Sequence, residues 1–171
     1  MLNAPDFVAP ALGKNAVKEQ ELALADNTKP KVFKLKAQLL DQGRTDTVLA
    51  ACEGMVVRIK VYASGGENEL HAHTSEDHTF MILQGSGRFF GPNGEEIELG
   101  QYEGILIPRN NYYKFFATSS EPLVMIRVGS PGPKGQKAPL RINMDGSEML
   151  GESKENKKEP VIFREGAFFG A

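Results

Sequence analysis

The chain has 171 residues, of which 25% are charged, and a formal net charge of -2. That length suits one domain with a substantial core, and the charge balance excludes the basic excess that nucleic acid or an anionic membrane surface calls for, leaving a small molecule as the expected partner. A single cysteine, Cys52, excludes an internal disulfide and fits a reducing compartment, with the thiol serving as a small buried apolar group.

In chain order, the first 15 residues lack the basic stretch and continuous apolar run of an export signal. No apolar run approaches the roughly 18 residues that span a bilayer, so the expected location is the cytoplasm, away from membranes. Residues 1–30 mix Ala, Pro and charged side chains and read as an N-terminal arm, with a short helix expected over Glu19–Ala25. Over residues 31–130, short runs rich in Val, Ile, Phe and Leu alternate with Gly, Asn, Asp and Pro, the pattern of an all-β sandwich or barrel. Strands are expected at Lys31–Leu35, Thr47–Ala51, Met55–Tyr62, Glu69–His73, His78–Gln84, Gly87–Phe90, Glu96–Leu99, Gly104–Ile107, Tyr112–Ala117 and Leu123–Val128. Gly91-Pro92-Asn93-Gly94 supplies a hairpin turn, because Asn-Gly accepts positive φ at low cost. Gly65-Gly66 and Gly85 are expected to serve tight turns as well. The Gly- and Pro-rich run from Gly129 to Gly135 ends the barrel. Residues 131–171 then form a C-terminal tail whose apolar finish, Val161-Ile162-Phe163 and Phe168-Phe169, is expected to dock on the barrel or on a partner subunit.

All three histidines fall within eight residues, as His71-Ala72-His73 and His78. In an extended segment, side chains at i and i+2 share a face, so His71 and His73 project together, and a short turn brings His78 back beside them. Three neutral imidazoles converging on one point suit zinc, iron, copper or nickel and leave coordination positions open. Glu76 and Asp77 fall in the expected turn, where carboxylates are ordinarily solvated, although either could add a ligand or orient a histidine. Along the strand from His78, Phe80 and Ile82 share the histidine's face and form an apolar wall around it. In Met55–Tyr62, Arg58, Lys60 and Tyr62 alternate with Val57, Ile59 and Val61. The charged face either meets solvent or lines a pocket and holds an anionic group, and Arg127 has the same two roles open to it.

The spacing Gly65, five residues, His71-Ala72-His73, four residues, His78, six residues, Gly85 resembles the first motif of the cupin family, small jelly-roll β-barrels. His78 stands where that family usually has a glutamate. The second cupin motif is carried only by Pro108, after the strand Gly104–Ile107; aligned on it, Tyr113 takes the place of the family's last histidine. There its phenol would hydrogen-bond to a metal-bound group or substrate rather than ligate directly, given an ordinary pKa of about 10.

The resemblance implies a cupin-like jelly-roll β-barrel with N- and C-terminal arms. It further implies one divalent transition metal held by His71, His73 and His78, iron(II) first, with nickel, manganese or zinc accepted by the same ligands. The activity implied first is a mononuclear non-heme dioxygenase acting on a small anionic molecule, with Tyr113 catalytic and Arg58, Lys60, Arg127, Phe80 and Ile82 around the substrate. A metal-dependent isomerase, cyclase or lyase, and a non-catalytic metal- or ligand-binding module, are the alternatives. Cupin-like domains commonly pair, so a homodimer with an exchanged tail is expected.

Overall fold

The computed structural model describes residues 4–13, 15–64, 69–131, 141–149 and 159–170; Gly65, Gly66 and the later part of the Gly- and Pro-rich run lie outside these. Its elements are α1 (Ala16–Leu24), β1 (Ala37–Gln42), β2 (Arg44–Cys52), β3 (Met55–Tyr62), β4 (Ala72–His73), β5 (Glu76–Gln84) and β6 (Gly87–Phe90). They continue as β7 (Glu96–Leu99), β8 (Gly104–Ile107), β9 (Lys114–Ala117), β10 (Leu123–Pro131), β11 (Arg141–Ile142) and β12 (Ile162–Phe169).

Period-two patterning builds two antiparallel sheets from these strands. The larger runs β2-β3-β10-β5-β8 and the smaller β7-β6-β9. Tyr62, Phe80, Ile82, Ile107, Leu123 and Met125 from the larger sheet and its borders meet Phe89, Leu99 and Phe115 from the smaller in one buried cluster. The all-β jelly-roll expected from the sequence is therefore the fold observed. The β6–β7 hairpin closes at Asn93-Gly94, with Gly94 at φ 86°. Gly85 turns β5 toward β6 at φ 76°, and a Cβ there would lie 2.5 Å from the Ser119 hydroxyl.

The outer face of the larger sheet is also apolar, because Ile59, Val61 and Val124 alternate with the inward residues. It is covered within the same chain. β1 pairs antiparallel with β12, Ala37 opposite Phe169 and Leu40 opposite Phe163, and Leu39, Leu40, Phe33, Leu35, Val161 and Phe163 pack onto Ile59 and Val61. On the opposite face, which carries Arg58, α1 lays Val17 and Leu24 on Val48, Ala51 and Val56. Its Gln20 side chain accepts from the Val48 amide at 2.8 Å, which gives a donor of the edge strand β2 a partner.

Several boundaries differ from expectation. Residues 31–36 form no strand; the first strand begins at Ala37, where β12 offers a partner. The strand expected over Glu69–His73 shortens to Ala72–His73, and the one expected from His78 begins at Glu76. Cys52 is exposed rather than buried, since it ends β2 at the turn into β3.

Leu40 is fully buried beneath β12, at 0% exposure, so Leu40→Ala should cost about 2–5 kcal/mol by lost burial and cavity formation. Urea denaturation followed by circular dichroism checks this; a shift under about 0.5 kcal/mol, the range of surface substitutions, would show that the β1–β12 layer is not packed as described.

Candidate metal centre and its cationic cavity

Strand alternation on β5 points Glu76, His78, Phe80 and Ile82 inward. On β10, Leu123, Met125, Arg127 and Gly129 share the inward face, with Gly129 opposite His78 and Arg127 opposite Phe80. The two-residue strand β4 adds His73. His71 lies one residue before it and exchanges two backbone hydrogen bonds with Tyr113, at 3.1 Å and 2.9 Å, which fixes those side chains next to each other.

The three imidazoles converge. Ring centroids of His73 and His78 are 4.2 Å apart, those of His71 and His73 5.1 Å, and the Tyr113 ring lies 4.7 Å from His71. His73, Glu76 and His78 bring one donor atom each to within 4.8 Å of one another. The compact donor set thus contains Glu76, which the sequence reading placed in a solvated turn, while His71 stands just outside it. The neighbouring Asp77 points elsewhere, accepting from the Arg109 amide at 2.9 Å and pairing with its guanidinium.

Burial sets the charge states. His71 and His78 are 2% and 1% exposed, and desolvation pulls their pKa values down to about 3 and about 4. His73 is pushed well below the ordinary value for the same reason, so all three rings are neutral with lone pairs to offer. Burial alone would raise Glu76, but its hydrogen bond to His78 and the charge of Arg127 win and bring it down to about 2. Buried Tyr113 is pushed up, so its phenol keeps its proton. The His71 Nδ1–H donates to the Glu69 carbonyl at 2.7 Å, which fixes the tautomer and leaves Nε2 free to ligate.

His78 shows why a cation belongs here. Its Nε2 lies 2.7 Å from a Glu76 carboxylate oxygen and also contacts the Arg127 guanidinium, which itself pairs with Glu76. One ring nitrogen cannot donate to the carboxylate and accept from the guanidinium at once. With Nε2–H donated to Glu76 that nitrogen offers the guanidinium no lone pair, whereas in the Nδ1–H tautomer Nε2 and the carboxylate are two acceptors that a cation can bridge. Arg127 supplies that cation now; the nitrogen and oxygen donors also fit a divalent metal. His78 Nδ1 lies 3.3 Å from the Tyr113 hydroxyl, while the Tyr112 hydroxyl points away and donates to the Asn143 carbonyl at 3.1 Å.

A cavity of about 570 Å³ opens beside this cluster. His71, His73, Tyr113, Phe80 and Phe115 line it, as do Arg44, Arg58, Lys60, Arg127 and Arg141. Arg58 and Lys60 therefore face the cavity, not solvent. Arg58 pairs with Glu21 of α1 at 2.6 Å, and Lys60 with Asp46 at 2.7 Å. Ile82 differs from expectation: it is fully buried in the apolar core beneath Phe80 and is not on the cavity wall, because the inward face of β5 descends into the barrel from Glu76 toward Ile82. Sequence reading missed Arg141, whose segment carries no motif, and favoured a solvated turn for Glu76, although strand alternation run backward from His78 points it inward.

The lowered histidine values have a consequence for stability. Below pH 6.5 the unfolded chain takes up protons that folded His71 and His78 refuse until about pH 3 and about pH 4. Stability therefore falls as pH drops from 6.5 toward 4, by up to about 1.4 kcal/mol per pH unit for each histidine. Glu76 adds stability above 4.5 that is lost as pH falls through about 2. Urea midpoints of metal-free protein between pH 7 and 4 should show this decline, and His78→Gln should flatten it; equal slopes in the two proteins would contradict a buried neutral His78.

Residues 58–129 match the family model described as the cupin domain. No curated protein sequence matches the chain. Among solved structures, the BH2720 protein of Bacillus halodurans is similar at TM-score 0.54 and 17% identity, over 66% of this chain and 89% of that one. KdgF from a Halomonas species is similar at TM-score 0.49 and 17% identity, over 54% and 82%. The Cnp3 cupin domain of Schizosaccharomyces pombe is similar at TM-score 0.49 and 19% identity, over 54% and 67%. At such identities the likeness speaks for the fold alone. The family match spans β3 to β10, within the jelly-roll observed, so this part of the chain is similar to a cupin domain in both sequence and fold.

Proposed function

We propose that this chain is a metal-dependent enzyme for a small anionic organic molecule. The observation that carries the proposal is the donor set His73, Glu76 and His78 beside a cationic cavity. His73, Glu76 and His78 would hold a divalent transition metal, with His71 Nε2 as a further donor. Such a metal supplies Lewis acidity and, as iron(II), access to oxygen chemistry; dioxygenation is the activity proposed first. A cavity of about 570 Å³ falls in the range of small-molecule sites, which supports a ligand-processing role over a closed structural centre.

The chain's own residues have separable tasks in this reading. Phe80 and Phe115 keep water from the inner wall of the cavity. Arg58, Lys60 and Arg127 attract the anionic end of the substrate, with guanidinium forks suited to paired oxygens. Tyr113, whose phenol stays protonated, donates a hydrogen bond to a substrate oxygen or holds a proton beside His78. Glu76 keeps Arg127 in place and balances charge at the cluster.

His73→Ala and Glu76→Gln should each abolish stoichiometric metal in protein purified without added metal, as read by elemental analysis; full metal content in both would end the proposal. Tyr113→Phe should keep the metal while reducing turnover about 10²–10⁴-fold, the range for a lost proton donor, whereas loss of the metal would make Tyr113 a ligand. Iron-dependent oxygen uptake on small carboxylates and diketones supports the dioxygenase; turnover that proceeds without oxygen would replace it with isomerase or lyase chemistry.

A further inference from the structure

Arg141 enters the cavity from outside the matched cupin region. It sits on β11, which pairs with β4 so that Arg141 lies opposite His73. β11 thus brings a cation over the histidine cluster from a part of the chain the family match does not reach. The charge on the cavity wall is unevenly balanced. Asp46 pairs with Arg58 and Lys60, Glu21 with Arg58, and Glu76 with Arg127. Arg141 has no ion pair among the described residues, and its Nε is buried without a hydrogen-bond partner.

Arg127, on β10, lines the same cavity and shows the same feature. It is 4% exposed, and while Nη2 meets Glu76 and His78, Nη1 is buried without a partner among the described residues. Gly129 makes room for this group: a Cβ there would lie 3.1 Å from Nη1. A buried guanidinium donor left unpaired is costly, and two guanidinium groups sharing one low-dielectric cavity repel. Burial, with repulsion from Arg44 and Arg127, holds the Arg141 pKa below its ordinary value. An anion with at least two oxygens, bound in the cavity that both residues line, offsets their like charges.

We propose that Arg141 and Arg127 form a clamp for the carboxylate or phosphate end of the substrate, with Arg141 the specificity-determining residue this chain adds to the cupin barrel. The proposal deepens the reading of this cavity as the substrate site and rests on it. Tyr113 lines the same space, and its phenol keeps its proton.

Calorimetric titration of the full-length protein as purified with malonate and with inorganic phosphate tests the clamp, with metal content measured on the same samples. Saturable binding is expected, with malonate tighter than phosphate for a carboxylate substrate and the reverse for a phosphorylated one. Arg141→Gln should weaken it at least tenfold without changing metal content. Arg88→Gln, on an exposed arginine of the other sheet, should leave it unchanged. Arg141→Lys keeps the charge but loses the fork, and its several-fold weakening decides the matter if Arg141→Gln does not fold. Binding that ignores both Arg141 substitutions, or its absence from wild type, overturns the clamp. Arg141-dependent binding by a protein that holds no metal upholds the clamp and overturns the metal reading instead, so the two failures are distinct.

Discussion

β10 runs against β5 with Gly129 opposite His78 and Arg127 opposite Phe80, and the chemistry of the site depends on that register. A slip of one residue would turn Arg127 to the outer face and bring Ile126 or Val128 against the histidines. The register leaves a glycine where the Arg127 guanidinium has to lie, and it sets that guanidinium against Glu76 and His78. On the other side of β10, Arg127 pairs directly with Arg58. Like charges opposite each other destabilise a sheet, so Glu21 and Asp46 on Arg58 and Glu76 on Arg127 are part of the same arrangement.

The result is a cavity where burial and charge divide the work. Desolvation keeps the imidazoles neutral and the phenol protonated, while neighbouring cations keep Glu76 ionised. Neutral nitrogen donors, one carboxylate and surrounding guanidinium groups can hold a cation at one end and an anion at the other. That separation suits a metal-bound anionic substrate. The barrel can commit its inner face to polar groups because its outer face is buried too: β1 and β12 cover Ile59 and Val61. Without that second apolar layer, the sheet would have to place its aliphatic residues inward.

Much of this was legible in the sequence. Clear alternation gave β3, β6, β7 and β8 to the residue, and the histidine spacing located the cluster. What remained hidden had physical reasons. Ala37–Gln42 has no period-two pattern of its own, and Ile162–Phe169 is interrupted by Arg164, Glu165 and Gly166, so each becomes a strand only through the other. Gly166 sits at φ 65°, as an irregular strand requires. Glu76 looked like a turn residue because the strand was expected to begin two positions later. Arg58 and Lys60 were ambiguous, since a single strand's pattern cannot say which of its faces a second layer will cover. Arg141 sits in a polar segment with no periodicity, and only pairing with β4 gives it a place.

The most direct measurement is anomalous diffraction from crystals of the full chain grown with one equivalent of iron(II) or zinc. The expected result is a single peak within about 2.0–2.2 Å of donor atoms from His73, Glu76 and His78, with the Arg127 guanidinium moved off His78. A peak elsewhere, or none at saturating metal with the guanidinium still seated on His78 and Glu76, would contradict a metal centre in this barrel.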